Sequence, residues 1–180
     1  MNEQVFFLIN NLSGKNKLID AVMIFAASDL IYIIFLIAIL ICSILLYKKQ
    51  WVQVVYFAIT LTVAFILLYI ASMLYIDHRP FVDLKVHQLV SHAAGKSFPS
   101  DHTTAACAIG IAIYLFVKRK LGATLIFFAL FIGFARIYVG IHYPIDILGA
   151  IMVALIAGSL TYVIKQKQYI IHLMQKQHVK

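Results

Sequence analysis

The chain has 180 residues, of which 63% are hydrophobic and 12% charged, and its mean hydropathy is +0.95. An ordinary soluble domain is roughly 45–50% apolar and about 25% charged, so a soluble globular domain is excluded as the default, together with disorder, collagen and coiled coil. The net charge is +8, but the basic residues punctuate apolar runs at Lys48-Lys49, at Lys118-Arg119-Lys120 and from Lys165 to Lys180. That is the pattern of cytoplasmic loops under the positive-inside rule rather than of a nucleic-acid surface.

The length fits one domain, residues 1–180. Met1 to Asn16 lacks the basic start and continuous apolar stretch of a cleavable signal peptide. Leu12-Ser13-Gly14-Lys15-Asn16 reads as a break between two amphipathic pieces. Leu18–Ala27 is too short to span a bilayer and is interrupted by Asp20, so the N-terminal pieces are expected to be interfacial helices on the outer face. A sixth span is the alternative.

Uncharged stretches mark the spans that follow. Leu30–Tyr47 has 18 residues without a charge, Trp51–Ile76 has 26, and Ile147–Ile164 has 18. Thr103–Val117 and Leu121–Ala135 have 15 each, short of the roughly 20 that a bilayer core requires. They reach span length only as Pro99–Val117 and Leu121–Val139. Ser100, Asp101, His102 and Arg136 are therefore expected at or near the membrane boundary. Apolar runs of this length must be helical in lipid, where open sheet edges are too costly. The expected fold is all-α: a polytopic transmembrane helix bundle of about five spans plus the N-terminal interfacial helices. With the two short basic loops inside, the Asp77–Phe98 loop and the turn at Ile141–Tyr143 share the outer side.

Cys42 and Cys107 lie in apolar runs and read as small core hydrophobes. All three prolines, Pro80, Pro99 and Pro144, fall at the outer junctions. Five of the seven histidines lie between His78 and His142. Ionisable groups gathered at a membrane boundary are functional candidates, and here they come from three separated segments.

In the first, Asp77-His78-Arg79-Pro80, Arg79 ends a long span and offers the planar fork of donors that suits phosphate oxygens. A snorkelling interfacial arginine is the other reading. In the second, Phe98-Pro99-Ser100-Asp101-His102, Ser100 or Asp101 can cap a helix whose free N–H groups favour an anion. A plain interfacial cap explains those two residues but not His102. In the third, from Arg136 to Asp146, His142 and Asp146 are four apart. The carboxylate can reach one imidazole nitrogen, fixing the tautomer and leaving the other nitrogen as nucleophile or base. A structural His–Asp pair would have the same spacing.

Together these segments resemble the type 2 phosphatidic acid phosphatase superfamily, membrane lipid phosphatases related to vanadium haloperoxidases. The family pattern is lysine, six residues, Arg-Pro; then Pro-Ser-Gly-His; then Ser-Arg, five residues, histidine, three residues, aspartate. The chain keeps Arg79-Pro80, Pro99-Ser100, His102, Arg136, His142 and Asp146 at those spacings. Ser72 occupies the lysine position, Asp101 the glycine and Ala135 the serine. Asp101, with the run from Asn11 onward, looks most like the bacitracin-resistance branch of bacterial undecaprenyl-diphosphatases.

The resemblance implies hydrolysis of undecaprenyl diphosphate through a phosphohistidine at the outer face of a bacterial cell membrane. His142 would be the nucleophile, Asp146 its orienting partner and His102 the general acid. Arg79, Arg136 and Ser100 would bind phosphate. Lys96, three residues before Pro99, and Lys85 are the nearest basic residues of the outer loop that could stand in for the missing lysine, and Lys96 is the expected one. No carboxylate cluster suits magnesium, so neither metal nor cofactor is expected. A phosphatidylglycerophosphate or phosphatidate phosphatase is the runner-up. A small transporter would need polar residues deep in several spans, where this chain is almost wholly apolar, and a non-catalytic membrane protein on the same fold is the remaining class.

Overall fold

A computed structural model describes residues 2–75 and 78–178 of the chain, with side chains through Tyr169. It contains eight helices among those residues: α1 (Asn2–Asn10), α2 (Lys17–Ser28), α3 (Leu30–Tyr47), α4 (Trp51–Leu74), the single turn α5 (Pro80–Asp83), α6 (Asp101–Phe116), α7 (Arg119–Tyr138) and α8 (Pro144–His178). Ile76 and Asp77, the last residue of one uncharged run and the first of the expected outer loop, lie outside the described residues, as do the last two residues of the basic tail.

Four of these helices, α3, α4, α7 and α8, are long and apolar enough to cross a membrane. The fifth, α6, has 16 residues. It is apolar almost all round, and a helix of that kind belongs inside a bundle. The structure puts it there: α6 packs against α7, α8 and α4, and its residues Ala106, Ala112 and Ile113 are fully buried. The surrounding helices turn Leu36, Leu40, Phe65, Phe127 and Leu148 outward. Large apolar side chains on the outside of a bundle suit lipid as the solvent, since the backbone polar groups are satisfied within each helix.

The last helix runs further than its uncharged stretch. The residues after Ile164 include no Gly or Pro and are mostly good helix formers, so α8 carries the first of the tail's basic residues onward as helix. Lys165 lies over the rings of Phe116 and Tyr56, 5.3 and 6.0 Å from their centres, and the Tyr56 hydroxyl donates to Gln168 at 2.6 Å. These contacts tie α8 to the bundle end that carries Lys48-Lys49 and Lys118–Lys120.

The N-terminal helices have 9 and 12 residues. At about 1.5 Å per residue neither can cross a core of roughly 30 Å, which removes the sixth span. The break between them ends at Asn16, whose side chain caps α2 by accepting from Leu18 N at 2.9 Å and Ile19 N at 3.2 Å. Both helices fold against the opposite end of the bundle, where Phe6 meets Tyr143 edge-on with ring centres 5.5 Å apart.

At that same end the chain turns sharply between α7 and α8. Gly140 adopts φ +83°, and a Cβ there would stand 2.8 Å from the His87 carbonyl oxygen. Only glycine meets both conditions at no cost. Fully buried Asn10 locks the region: its side-chain amide donates to the carbonyls of His87 and Tyr138, both at 2.9 Å, and its carbonyl accepts from His87 N at 3.0 Å.

Candidate active site

The turn held by Asn10 and Gly140 presents His142, which is 1% exposed. Pro144 starts α8 two residues later, and Asp146 follows in its first turn. The helical rise brings the carboxylate back over the turn, so Asp146 Oδ2 stands 3.1 Å from His142 Nδ1. A carboxylate only accepts, so Nδ1 carries the proton and Nε2 keeps its lone pair. The same Oδ2 also accepts from the backbone N–H of Tyr143 at 2.8 Å and from the Ser97 hydroxyl.

Two guanidinium groups face the open nitrogen of His142. Arg79 Nη1 is 3.0 Å from Nε2 and also donates to the Ile141 carbonyl at 3.1 Å. Arg136 Nη2 is 3.3 Å from Nε2, while its Nη1 donates to the Ala27 carbonyl at 2.8 Å. Both arginines are buried, at 7% and 3% exposure. Neither makes an ion pair with a carboxylate among the described residues, and the Nε of each has no hydrogen-bond partner. Buried cations are normally paired. Two unpaired ones converging on a single nitrogen form a site organised for an anion.

Ser100 is the N-cap residue of α6 and fully buried. Its N–H donates to the Asp146 carbonyl at 3.2 Å, and its hydroxyl lies 3.1 Å from that of Thr103. No side chain caps the first turn of α6. That leaves its N–H groups and the positive end of the helix dipole for another acceptor. His102 stands in this turn, half-buried.

The residues singled out in the sequence divide into two groups. His142, Asp146, Arg79, Arg136 and Ser100 are joined by hydrogen bonds, with His102 two residues beyond Ser100 in the first turn of α6. Lys96 does not join them. His78 and Lys96 form an isolated antiparallel bridge, and neighbouring residues on paired strands alternate between faces. Arg79 and Ser97 turn inward and are buried; His78 and Lys96 turn outward and are exposed. The Lys96 ammonium donates to the Ser72 carbonyl at 3.0 Å. It reaches the chain position of the absent lysine and grips its backbone, on the face opposite Arg79 and Ser97.

Two residues outside the set expected from the sequence lie against this cluster. Ser97 is 1% exposed and, besides holding Asp146, lies 3.4 Å from His142 Nδ1. Its only sequence signal was a small hydroxyl just before Phe98-Pro99. His92 reaches Arg136 from the long loop, with Nε2 3.4 Å from Nη2; nothing in its local sequence distinguished it from the other loop histidines.

His142 lies in the turn, outside the apolar spans. Burial pushes its pKa well below the ordinary 6.5, and the charges of Arg136 and Arg79 lower it further. The ring is therefore neutral, with a free lone pair, across the physiological range.

A cavity of about 620 Å3 opens beside this cluster. It is lined by Asp101, His102 and apolar residues of α6, α3 and α4, including Ile31, Phe35, Leu61 and Phe65, and it reaches Ile109. From His102 to Ile109 is about 10 Å along the helix.

The PAP2 superfamily pattern matches residues 53–170, and the chain belongs to that family. It is 42% identical over 164 residues to the undecaprenyl-diphosphatase BcrC of Bacillus subtilis (strain 168), an alignment covering 90% of this chain and 83% of that one. It is 31% identical to the bacitracin transport permease protein BcrC of Bacillus licheniformis, covering 97% and 85%. Among solved structures it is similar to Aquifex aeolicus LpxE, with TM-score 0.72 and 26% identity over 89% of this chain and 93% of that one. Its apolar helices and this kinship make it a multi-pass membrane protein.

Proposed function

We propose that the protein hydrolyses undecaprenyl diphosphate to undecaprenyl phosphate and inorganic phosphate at the outer face of a bacterial cell membrane, recycling the carrier lipid and conferring bacitracin resistance. The observation that carries this reading is the pair of buried arginines without carboxylate partners, both donating toward the free nitrogen of a histidine whose other nitrogen is held by a carboxylate. The similarity to an undecaprenyl-diphosphatase supports the choice of lipid. The basic loops at the far end of the bundle support the outer location.

In the first step His142 Nε2 attacks the terminal phosphorus. The N–P bond forms as the bond to the bridging oxygen breaks, and His102 gives that oxygen a proton as general acid. Asp146 fixes the His142 ring and balances its positive charge. Arg79, Arg136, the Ser100 hydroxyl and the first N–H groups of α6 hold the equatorial oxygens, where charge gathers in the transition state. In the second step water, deprotonated by His102, attacks phosphorus, the N–P bond breaks, and phosphate leaves.

The cavity fits this assignment. The oxygen that His102 protonates is the one that stays with the lipid, and His102 itself lines the apolar space between α3, α4 and α6. A hydrocarbon chain entering there places its phosphate beside His102.

A panel of purified lipids in detergent tests the proposal by phosphate release. Prenyl diphosphates are expected to have a higher kcat/KM than phosphatidate or phosphatidylglycerophosphate. The reverse order would assign the protein to glycerolipids, and no release from any of them would reject a phosphatase.

A further inference from the structure

The loop between α5 and α6 carries a histidine inward that the mechanism above does not use. From Ser91 to Lys96 every residue is exposed except His92, which is half-buried. Its Nδ1 lies 3.3 Å from the Ala93 carbonyl. A carbonyl only accepts, so Nδ1 holds the proton and Nε2 presents its lone pair to Arg136 Nη2, 3.4 Å away. That guanidinium nitrogen is also the one 3.3 Å from His142 Nε2. The attacking nitrogen and His92 Nε2 thus flank one donor, separated by no more than two hydrogen-bond lengths. A phosphoryl group seated before His142 and held by Arg136 has an oxygen within reach of His92.

We propose that His92 is a phosphate-binding residue of this site, whose imidazolium holds an oxygen of the terminal phosphoryl group alongside Arg136. The identity of that anion rests on the lipid diphosphate reading; the contact does not. The surroundings of His92 tie the interaction to pH. It faces Arg79 from the start of α5, Arg136 from α7, His102 from α6 and His142 from the turn before α8, with Asp101 as the acid in range. Without an anion, burial holds its pKa below 6.5, with Arg79 and then Arg136 adding to the effect against the Ala93 carbonyl and Asp101. The ring is then neutral and accepts from Arg136. A phosphate dianion takes over that guanidinium N–H and favours the charged ring, so binding takes up a proton and tightens as pH falls. His92 thereby adds a cation on the aqueous side of the group, while Arg79 and Arg136 act from within the fold.

Calorimetric titration of the full detergent-solubilised chain with inorganic phosphate, from about pH 6 to about pH 8.5, tests this. The outward-facing His78→Gln serves as control and is expected to match the wild type. His92→Gln keeps a hydrogen-bonding side chain without charge and is expected to weaken phosphate about tenfold at the acid end and less than twofold at the alkaline end. His92→Lys is expected to restore affinity at both ends. With lipid diphosphate, His92→Gln is expected to raise KM and to leave kcat within about threefold. Phosphate affinity within twofold of wild type at about pH 6 in His92→Gln overturns the proposal, as does failure of His92→Lys to recover it. If the lipid diphosphate is not hydrolysed while this pattern of phosphate affinity holds, the substrate reading fails and the His92 site stands.

Discussion

The Ser97 hydroxyl donates to the same carboxylate oxygen of Asp146 that holds His142. Ser97 comes from the loop before α6, Asp146 from the first turn of α8, and both are buried. The bond joins the two segments whose relative position decides where His142 points. Removing the hydroxyl takes a donor from a buried carboxylate whose other oxygen already has no partner. Ser97→Ala is expected to lower kcat about tenfold with KM changed less than twofold, and Ser97→Thr to recover most of it. Steady-state kinetics on the lipid diphosphate check the split; a change in KM alone would assign Ser97 to binding.

His142→Ala is expected to abolish turnover, because among the described residues no other histidine has one ring nitrogen held by a carboxylate and the other faced by both arginines. His102→Ala is expected to lose about 10²–10⁴-fold, the usual contribution of a general acid. With a substrate whose leaving group needs no proton, that variant should accumulate phosphohistidine, detectable by phosphorus NMR after an acid-free quench. Full activity of His142→Ala would overturn the mechanism.

The buried neutral His142 gives stability a definite pH dependence. Its folded pKa is depressed below its unfolded value of 6.5. The contribution is therefore complete above 6.5 and is lost as pH falls toward the folded value, where the unfolded chain binds a proton that the folded one excludes. Thermal unfolding in detergent is expected to shift to lower temperature as pH drops through this window, and His142→Asn is expected to flatten the slope. An unchanged slope in the variant would exclude His142 as the source.

Asn10 closes three hydrogen bonds between α1, the long loop and the end of α7. Asn10→Ala leaves the buried carbonyl of Tyr138 without that partner, at about 1–3 kcal/mol, and the part-buried carbonyl and N–H of His87 at less. A fall in Tm together with a lower kcat is expected, since the same turn carries His142. Asn10→Asp sets an acceptor against the carbonyls of His87 and Tyr138 in a fully buried position and is expected to lower Tm at least as far.

The outer location is checked by single cysteines in a background lacking Cys42 and Cys107. An impermeant reagent applied to intact cells is expected to label position 88 and not position 119. Labelling of position 119 alone would reverse the orientation and move the site to the cytoplasmic face.

The sequence by itself determined most of the helices and the pairing of His142 with Asp146. Uncharged runs bounded by an aspartate at one end and lysine at the other set α3 and α4 nearly to the residue, because a helix in lipid ends where the polar side chains begin. His142 and Asp146 were legible because four residues are one helical turn, so their contact is local. The tertiary structure decided what depended on distant chain. Ser97 and His92 reach the site through the path of an irregular loop, which no periodicity encodes. Lys96, beside Ser97 in sequence, is sent to the opposite face by a single bridge to His78. The arginines' lack of carboxylate partners, the feature that marks an anion site, emerged only once α5, α7 and the turn before α8 were packed together, because pairing is a property of the assembled fold and not of any one segment.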